Sequence, residues 1–124
     1  MYAKTPATSA WTYAHELGRL HLEQTFPEEV TTECYENLTQ DLAEKAIYEA
    51  IRKDCNIIFT TTPEFVKASV QAAIDHPNVK ILNCSLNTSH RYIRTYYARM
   101  YEAKFLMGAV AGAMSENGQL AYIA

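Results

Sequence analysis

Short apolar runs alternate along this chain with longer segments in which apolar residues recur at helical spacing. The strand-like runs cover residues 30–35, 56–60, 79–84, 92–97 and 119–123, and the helical segments cover residues 10–24, 41–53, 62–76 and 102–114. Strands that alternate with helices of about 10–15 residues form βαβ units around a parallel sheet. The run at 56–60 is continuously apolar at its centre, Ile57-Ile58-Phe59, which predicts a strand covered on both faces. The alternation therefore predicts an α/β fold, a three-layer sandwich with a mainly parallel sheet.

Local signals indicate where three of the predicted helices begin. Thr8 or Ser9 is placed to cap the free N–H groups of the first helix. Asp41 and Glu44 resemble a capping box at the start of the second helix. The sequence Thr-Pro-Glu at 62–64 supplies the third helix with a hydroxyl cap followed by proline at the first helical position.

Charge and cysteine content narrow the function classes. The chain has 11 Lys and Arg residues against 14 Asp and Glu residues, and its net charge is −3. The basic residues are scattered rather than arranged in a stripe, so nucleic acid is not an expected partner. The three cysteines form no CxxC pair and are expected to be reduced and buried, without a metal or a disulfide.

The sequence gives two indications about location. Its longest strongly apolar stretch, residues 105–114, is shorter than the about 20 residues that cross a bilayer. The first residues show no apolar segment of the kind found in a signal peptide. Together with the free cysteines, these observations favour a cytoplasmic location.

Motifs of enzymatic chemistry are missing from the sequence. His15 and His21 flank an acidic residue but lie six positions apart, whereas a zinc-protease helix needs a separation of four. No Gly-rich phosphate loop, GxGxxG turn or G-x-S-x-G elbow occurs. We therefore expect no enzyme activity, no cofactor and no metal.

Three segments are expected at the ligand-binding edge of the sheet. In open parallel sheets, ligands bind beyond the carboxyl ends of the strands, and that rule selects residues 4–11, 60–65 and 84–90. Trp11 either stacks on a flat ring or packs helix against sheet. Phe65 has the same two interpretations.

One predicted helix has unusually small side chains. They are Gly108, Ala109, Ala111, Gly112 and Ala113. In a chain without a membrane span, this composition predicts close packing of the helix backbone against a sheet or another lobe.

Several co-linear motifs resemble the basic membrane protein (BMP) family, substrate-binding proteins of the periplasmic-binding-protein type I class. Residues 9–19, SAWTYAHELGR, resemble the opening helix of that family. Residues 56–62 are similar to its D-x-I-F-x-T-S strand and turn. Most specifically, residues 99–114 and 122–124 are similar to its R-x-Y-E-A-R-Y-L-A-G…A-G-A-M…G-Y-V-A signature.

The resemblance implies a receptor whose two lobes close on a purine nucleoside or nucleobase. Residues 1–97 would form the first ligand-binding lobe with a truncated first strand, an incomplete periplasmic-binding-protein type I lobe, and residues 98–124 would begin the second lobe. Implied partners are an ABC transporter and the second lobe, and relatives are cell-envelope lipoproteins. The implied ligand-binding residues are Ser9, Trp11, Thr61, Thr62, Phe65 and Ser85.

Two further expectations accompany this interpretation. Related sequences also occur fused to other domains inside bacterial cells, so the alternative function is an intracellular regulatory or interaction module that keeps the receptor fold without ligand transport. As a fragment with unpaired sheet and helix surface, the chain is expected to form a homo-oligomer.

Overall fold

A computed structural model describes residues 1–85 and 90–122. The helices are α1 (Ala10–Thr25), α2 (Gln40–Arg52), α3 (Val66–Asp75) and α4 (Met100–Met114), and the strands are β1 (Ile57–Thr60), β2 (Lys80–Cys84) and β3 (Arg94–Tyr96). A short 3₁₀ turn, Pro63–Phe65, leads from β1 into α3. The four predicted helices and three of the five predicted strands are thus confirmed, with boundaries that shift by a few residues.

The three strands form one parallel sheet in the order β1-β2-β3. Ile58 pairs with Ile81, and Cys84 pairs with Tyr96. Because the strands are parallel, their carboxyl ends meet at one edge of the sheet. The predicted α/β fold with a parallel sheet is therefore confirmed.

The predicted strand at 30–35 is wrong, although its last residue lies beside the sheet. The Tyr2 N–H donates to the Tyr35 carbonyl at 2.8 Å, and the Leu38 N–H donates to the Tyr2 carbonyl at 3.0 Å. On their other side, the first residues of the chain pair with the end of β1, since the Thr61 N–H donates to the Met1 carbonyl at 3.2 Å. Asn37 then takes a left-handed conformation with φ 55°. One residue with ladder contacts is too little to make residues 30–35 a strand.

The core lies on the sheet face covered by α2 and α3. Its buried members include Ile47, Ile58, Phe65, Ala72 and Ile81. Side chains alternate between the two faces of a strand, so residues on either side of Ile58 and Ile81 point to the opposite face.

Helix α1 lies on the opposite face and covers only part of it. The ring of His15 is 6.2 Å from that of Tyr96, which is 5.9 Å from that of Phe59. Ile57 and Phe59 nevertheless remain 50% and 47% exposed, so the predicted coverage of β1 on both faces is incomplete within the described residues. The fold thus has three layers: α2 with α3 on one side, the sheet in the middle, and α1 on the other side.

A charged network attaches α1 to the residues around it. The Arg19 guanidinium donates to both carboxylate oxygens of Glu16, at 2.9 and 2.6 Å. The Tyr2 hydroxyl also donates to Glu16, at 3.1 Å, and the other end of the guanidinium contacts Thr32 and Glu23. These hydrogen bonds, those of Arg19 above all, lower the pKa of Glu16 from its usual 4.5.

We expect Arg19→Ala to lower the free energy of unfolding by about 1 kcal/mol at neutral pH, since the Arg19–Glu16 ion pair is charge-assisted but partly solvated. A carboxylate whose pKa is lowered by folding adds stability above its unfolded pKa and loses it as the pH falls through the folded value. The difference between wild type and variant should therefore shrink below pH 4.5, the ordinary value for Glu16. Urea denaturation between pH 7 and pH 3 measures it. Lys45→Ala, at an exposed position of α2, is the control; an equal Arg19→Ala effect at every pH contradicts the expectation.

The predicted side-chain caps of the second and third helices are wrong. Thr62 is the N-cap residue before Pro63, as the position of the proline predicts, but its hydroxyl makes no capping hydrogen bond. Helix α2 begins after Thr39, and no side-chain hydrogen bond caps it. Asp41 therefore lies inside the first turn, where its charge still faces the helix N-terminus.

The three cysteines are free thiols in this structure, and only one of them is fully buried. Cys84 is buried, Cys55 is intermediate and Cys34 is exposed, which corrects the expectation of three buried thiols. Desolvation and the carboxylates of Glu16 and Glu36 raise the pKa of Cys34 to about 11. Within residues 1–85 and 90–122, no cluster of His, Cys, Asp and Glu could hold a metal ion.

Helix α4 is exposed on all sides within the described chain. No residue of α4 is buried, and a Cβ atom added at Gly108 or Gly112 would meet nothing within 4 Å. The predicted close packing of this small-sided helix is therefore not realised among the described residues. Residues 119–122 form no strand, and residue 123 of the predicted last strand lies outside the description. None of the helices described is both long and apolar enough to cross a membrane.

Candidate ligand-binding site

A cleft of about 450 Å³ opens beside the carboxyl ends of β1 and β2. Its walls come from the start of the chain, the first turns of α1, the turn after β1 and the residue that follows β3. The lining residues are Ala3, Lys4, Ser9, Trp11, Thr12, Thr61, Thr62, Pro63, Glu64, Cys84 and Tyr97. The volume is in the range of small-molecule sites. Four of the six predicted site residues (Ser9, Trp11, Thr61 and Thr62) are thus brought together.

Ser9 begins the wall formed by α1. It is the N-cap residue, and its Oγ accepts a hydrogen bond from the Thr12 N–H at 3.3 Å. Thr8 and Ser9 were the two candidate caps for this helix, and Ser9 is the one used. Its hydroxyl proton stays available for an acceptor in the cleft.

Trp11 combines the two interpretations offered by the sequence. Its indole Nε1–H donates to the Thr61 carbonyl at 2.8 Å, which ties α1 to the end of β1. The side chain remains 36% exposed and lines the cleft. Since the only polar atom of the indole is already bonded, Trp11 has its ring surface, and no N–H, to offer a ligand.

The turn after β1 is held from several directions. The backbone N–H and the Oγ1 of Thr61 both donate to the Met1 carbonyl, at 3.2 and 3.0 Å. The carbonyl of Thr62 accepts from Asn83 Nδ2 at 2.8 Å. Thr61 is 2% exposed, so its backbone and side chain belong to the support of the cleft. Thr62 is only partly buried and contributes to the open wall.

A buried polar network supports this turn from the core side. Asn83 Nδ2 donates to Thr60 Oγ1 at 2.8 Å, and that hydroxyl lies 3.0 Å from Ser69 Oγ. Ser69 in turn donates to the Phe65 carbonyl at 2.7 Å. Asn83, Thr60 and Ser69 are fully buried. These hydrogen bonds orient the turn relative to the sheet, although Asn83 Oδ1 is buried and has no hydrogen-bond partner within residues 1–85 and 90–122.

Two predicted site residues do not line the cleft. Phe65 is fully buried in the core between α2 and α3, which favours its packing interpretation. Ser85 is 4% exposed and follows Cys84, which does line the cleft. Its Oγ has no hydrogen-bond partner within residues 1–85 and 90–122. Residues 86–89 of the predicted loop lie outside the description.

Comparison with known proteins identifies the family. The family model Bmp, ABC transporter substrate-binding protein PnrA-like, matches residues 3–124. The chain belongs to the Bmp family. The resemblance expected from the sequence motifs is therefore confirmed, and the three-layer arrangement agrees with a periplasmic-binding-protein-like lobe of that family.

Two curated relatives of this Bmp chain carry names that mention a ligand. A purine-binding protein of Brucella abortus is 30% identical over 124 residues, which is 99% of this chain and 35% of that protein. A candidate ABC transporter glucose-binding protein of Haloferax volcanii is 24% identical over 114 residues, covering 92% of this chain and 29% of that protein. The chain thus spans about a third of the length of these relatives.

The cleft of this Bmp chain also contains side chains that were not among the predicted ligand-binding residues, although two of them lie in the segments predicted for this edge of the sheet. Lys4 and Glu64 bring one positive and one negative charge to the wall, and Tyr97 brings a second aromatic ring. Tyr97 was the last residue of the predicted strand at 92–97, and that position at the carboxyl end of a strand was its signal in the sequence. Within the described lining, no side-chain carboxylate or ammonium other than these two contributes charge.

Proposed function

We propose that this chain is a ligand-binding lobe for purine nucleosides or nucleobases within a substrate-binding protein of the ABC transporter type. The observation that carries the proposal is the orientation of Trp11, whose indole is fixed by its hydrogen bond to the Thr61 carbonyl and stays exposed in the cleft. A rigid aromatic surface binds flat heterocycles by stacking. The 30% identity to a purine-binding protein supports the same ligand class.

The charges of the cleft favour an uncharged ligand. Lys4 and Glu64 balance each other, and hydroxyl groups of Ser9 and Thr62 supply the rest of the polar rim. A phosphate group would meet one cation and one carboxylate here, without the cluster of donors that phosphate sites use. The proposed role is binding rather than catalysis, since the family is one of substrate-binding proteins and burial raises the pKa of Cys84, the thiol in the described lining, which makes it a poor nucleophile.

A sugar is the second candidate ligand. The name of the Haloferax volcanii relative mentions glucose, and a hydroxyl-rich rim next to an indole also suits a sugar ring. The two candidates differ in what stacks on Trp11, because a purine presents a π-surface and glucose presents only C–H groups.

Isothermal titration calorimetry on the complete gene product tests the proposal. Adenosine, guanosine, hypoxanthine and glucose are titrated separately, with ribose as the control for the sugar part of a nucleoside. Saturable heat with at least one purine, and none with glucose or ribose, supports the proposal. Heat with glucose alone would favour a sugar over a purine as the ligand. A correctly folded protein that binds none of them would favour the alternative, a regulatory module that keeps the fold without a ligand.

We also propose that residues 1–97 and 98–124 belong to different lobes. The support is the isolation of α4, which has no buried residue, while the sheet, α2 and α3 share one core. Phe105, Met107 and Met114 are exposed by 75%, 68% and 77%. A surface of this kind needs a partner, which a second lobe would provide.

A chain restricted to residues 1–124 should therefore self-associate. Apolar patches of several side chains on a single helix favour contacts between copies, and association is expected to rise with protein concentration. Light scattering coupled to size exclusion measures it. Phe105→Lys should shift the population towards monomer, whereas Lys104→Arg, which keeps the charge, should not. A stable wild-type monomer at high concentration contradicts this expectation.

A further inference from the structure

Tyr97 lies at the same edge of the sheet as the predicted ligand loops. It follows β3 directly, and β3 runs parallel to β2. The side chain lines the cleft and is 38% exposed. Its position thus satisfies the rule that ligands bind beyond the carboxyl ends of parallel strands.

The ring of Tyr97 is close to that of Trp11. Their centroids are 6.0 Å apart, and the planes are inclined by 37°. A third ring inserted between two others needs about 7 Å, because each stacked pair is separated by about 3.5 Å. A ligand therefore cannot enter between the two rings in this geometry. The two rings instead form an aromatic corner, Trp11 with Tyr97, whose exposed surfaces face the cleft.

The two residues of the aromatic corner differ in the hydrogen bonds that they can offer a ligand. The indole N–H of Trp11 is bonded to the Thr61 carbonyl. No hydrogen bond joins the Tyr97 hydroxyl to another residue in the described part of the chain. A phenol can both donate and accept, so it can meet a ring nitrogen or an exocyclic group of a heterocycle.

We propose that Tyr97 is a ligand-contacting residue of the cleft that determines specificity for planar heterocycles. Its ring extends the stacking surface of Trp11, and its hydroxyl bonds to a heteroatom at the ligand edge. This inference rests on the proposed binding of purines. Tyr92 serves as a contrast, since it is equally aromatic and 44% exposed but does not line the cleft.

The test compares Tyr97→Ala, Tyr97→Phe and Tyr92→Ala in the complete gene product. Adenosine affinity is measured by calorimetry. Tyr97→Ala should weaken adenosine binding about fivefold or more, since the stacking surface that the ring provides is lost. Tyr97→Phe should keep the stacking part and lose about threefold to tenfold for the hydroxyl. Tyr92→Ala should bind within about twofold of wild type.

The outcomes separate this inference from the proposed function. Wild-type protein that binds no purine overturns both. Wild-type binding that Tyr97→Ala leaves within about twofold overturns the inference about Tyr97 alone, and the purine proposal stands. If Tyr97→Ala fails to fold by circular dichroism, Tyr97→Leu replaces it, because leucine keeps apolar bulk without a ring or hydroxyl. A folded Tyr97→Leu protein that binds adenosine like the wild type likewise overturns the inference. An adenosine affinity of Tyr97→Phe that lies between those of the wild type and Tyr97→Leu supports it.

Discussion

Replacing Trp11 with alanine should weaken purine binding by about five- to a hundredfold. The stacking surface that would be lost contributes about 1–3 kcal/mol, and each 1.4 kcal/mol corresponds to about a tenfold change in affinity. The substitution also removes the hydrogen bond that joins the indole to the Thr61 carbonyl, so the turn after β1 loses one of its supports. Calorimetry with adenosine, alongside a thermal melt, measures binding and folding separately.

Two control variants separate the roles of Trp11. Trp11→Phe keeps an aromatic surface but cannot donate to Thr61, and we expect an affinity between those of wild type and Trp11→Ala. Tyr13→Ala removes an aromatic residue that is 53% exposed on the same helix and does not line the cleft. It should leave binding unchanged. Wild-type affinity in a folded Trp11→Ala protein would contradict the stacking proposal.

Replacing Phe65 with alanine should destabilise the lobe by about 3–5 kcal/mol, the usual cost of a cavity left by a buried phenylalanine. Phe65 is fully buried, and it lies in the turn that connects β1 to α3. A loss of that size is a large fraction of the stability of a typical domain. Urea denaturation followed by circular dichroism measures it.

The same substitution tests whether Phe65 contacts a ligand. Phe65→Leu fills much of the cavity and should recover most of the stability. If the only role of Phe65 is packing, folded Phe65→Leu should bind adenosine like the wild type. Reduced affinity at wild-type stability would instead support the ligand role predicted from the family resemblance.

The strands could be predicted where the sequence itself determines burial. The runs that became β1 and β2 are mainly apolar and bounded by turn residues, so their positions followed from composition alone. The run at 30–35 is also β-branched, but a strand requires a hydrogen-bonded neighbour. Among the described residues, only Tyr35 of this run has such a neighbour, Tyr2. That information is not local, and the sequence pattern could not supply it.

The cleft could be predicted as a region, but not residue by residue. The strand-end rule selected the loops of Ser9, Trp11 and Thr62, because topology alone brings them to one edge. It could not separate Phe65, which points into the core, from Tyr97, which faces the cleft, since both are aromatic residues next to strand ends. The buried network of Asn83, Thr60 and Ser69 was also missed, because its partners are distant in sequence.

The isolation of α4 has a consequence for cooperativity. A helix that shares no buried side chain with the sheet is stabilised by its own backbone hydrogen bonds, and a segment of 15 residues is only marginally helical on that basis. The unfolding of α4 is then energetically independent of the unfolding of the sheet. A single transition midpoint would therefore describe the unfolding of the β1–β2 region, but not that of α4. Amide hydrogen exchange would accordingly divide the chain into a slowly exchanging unit and a rapidly exchanging one.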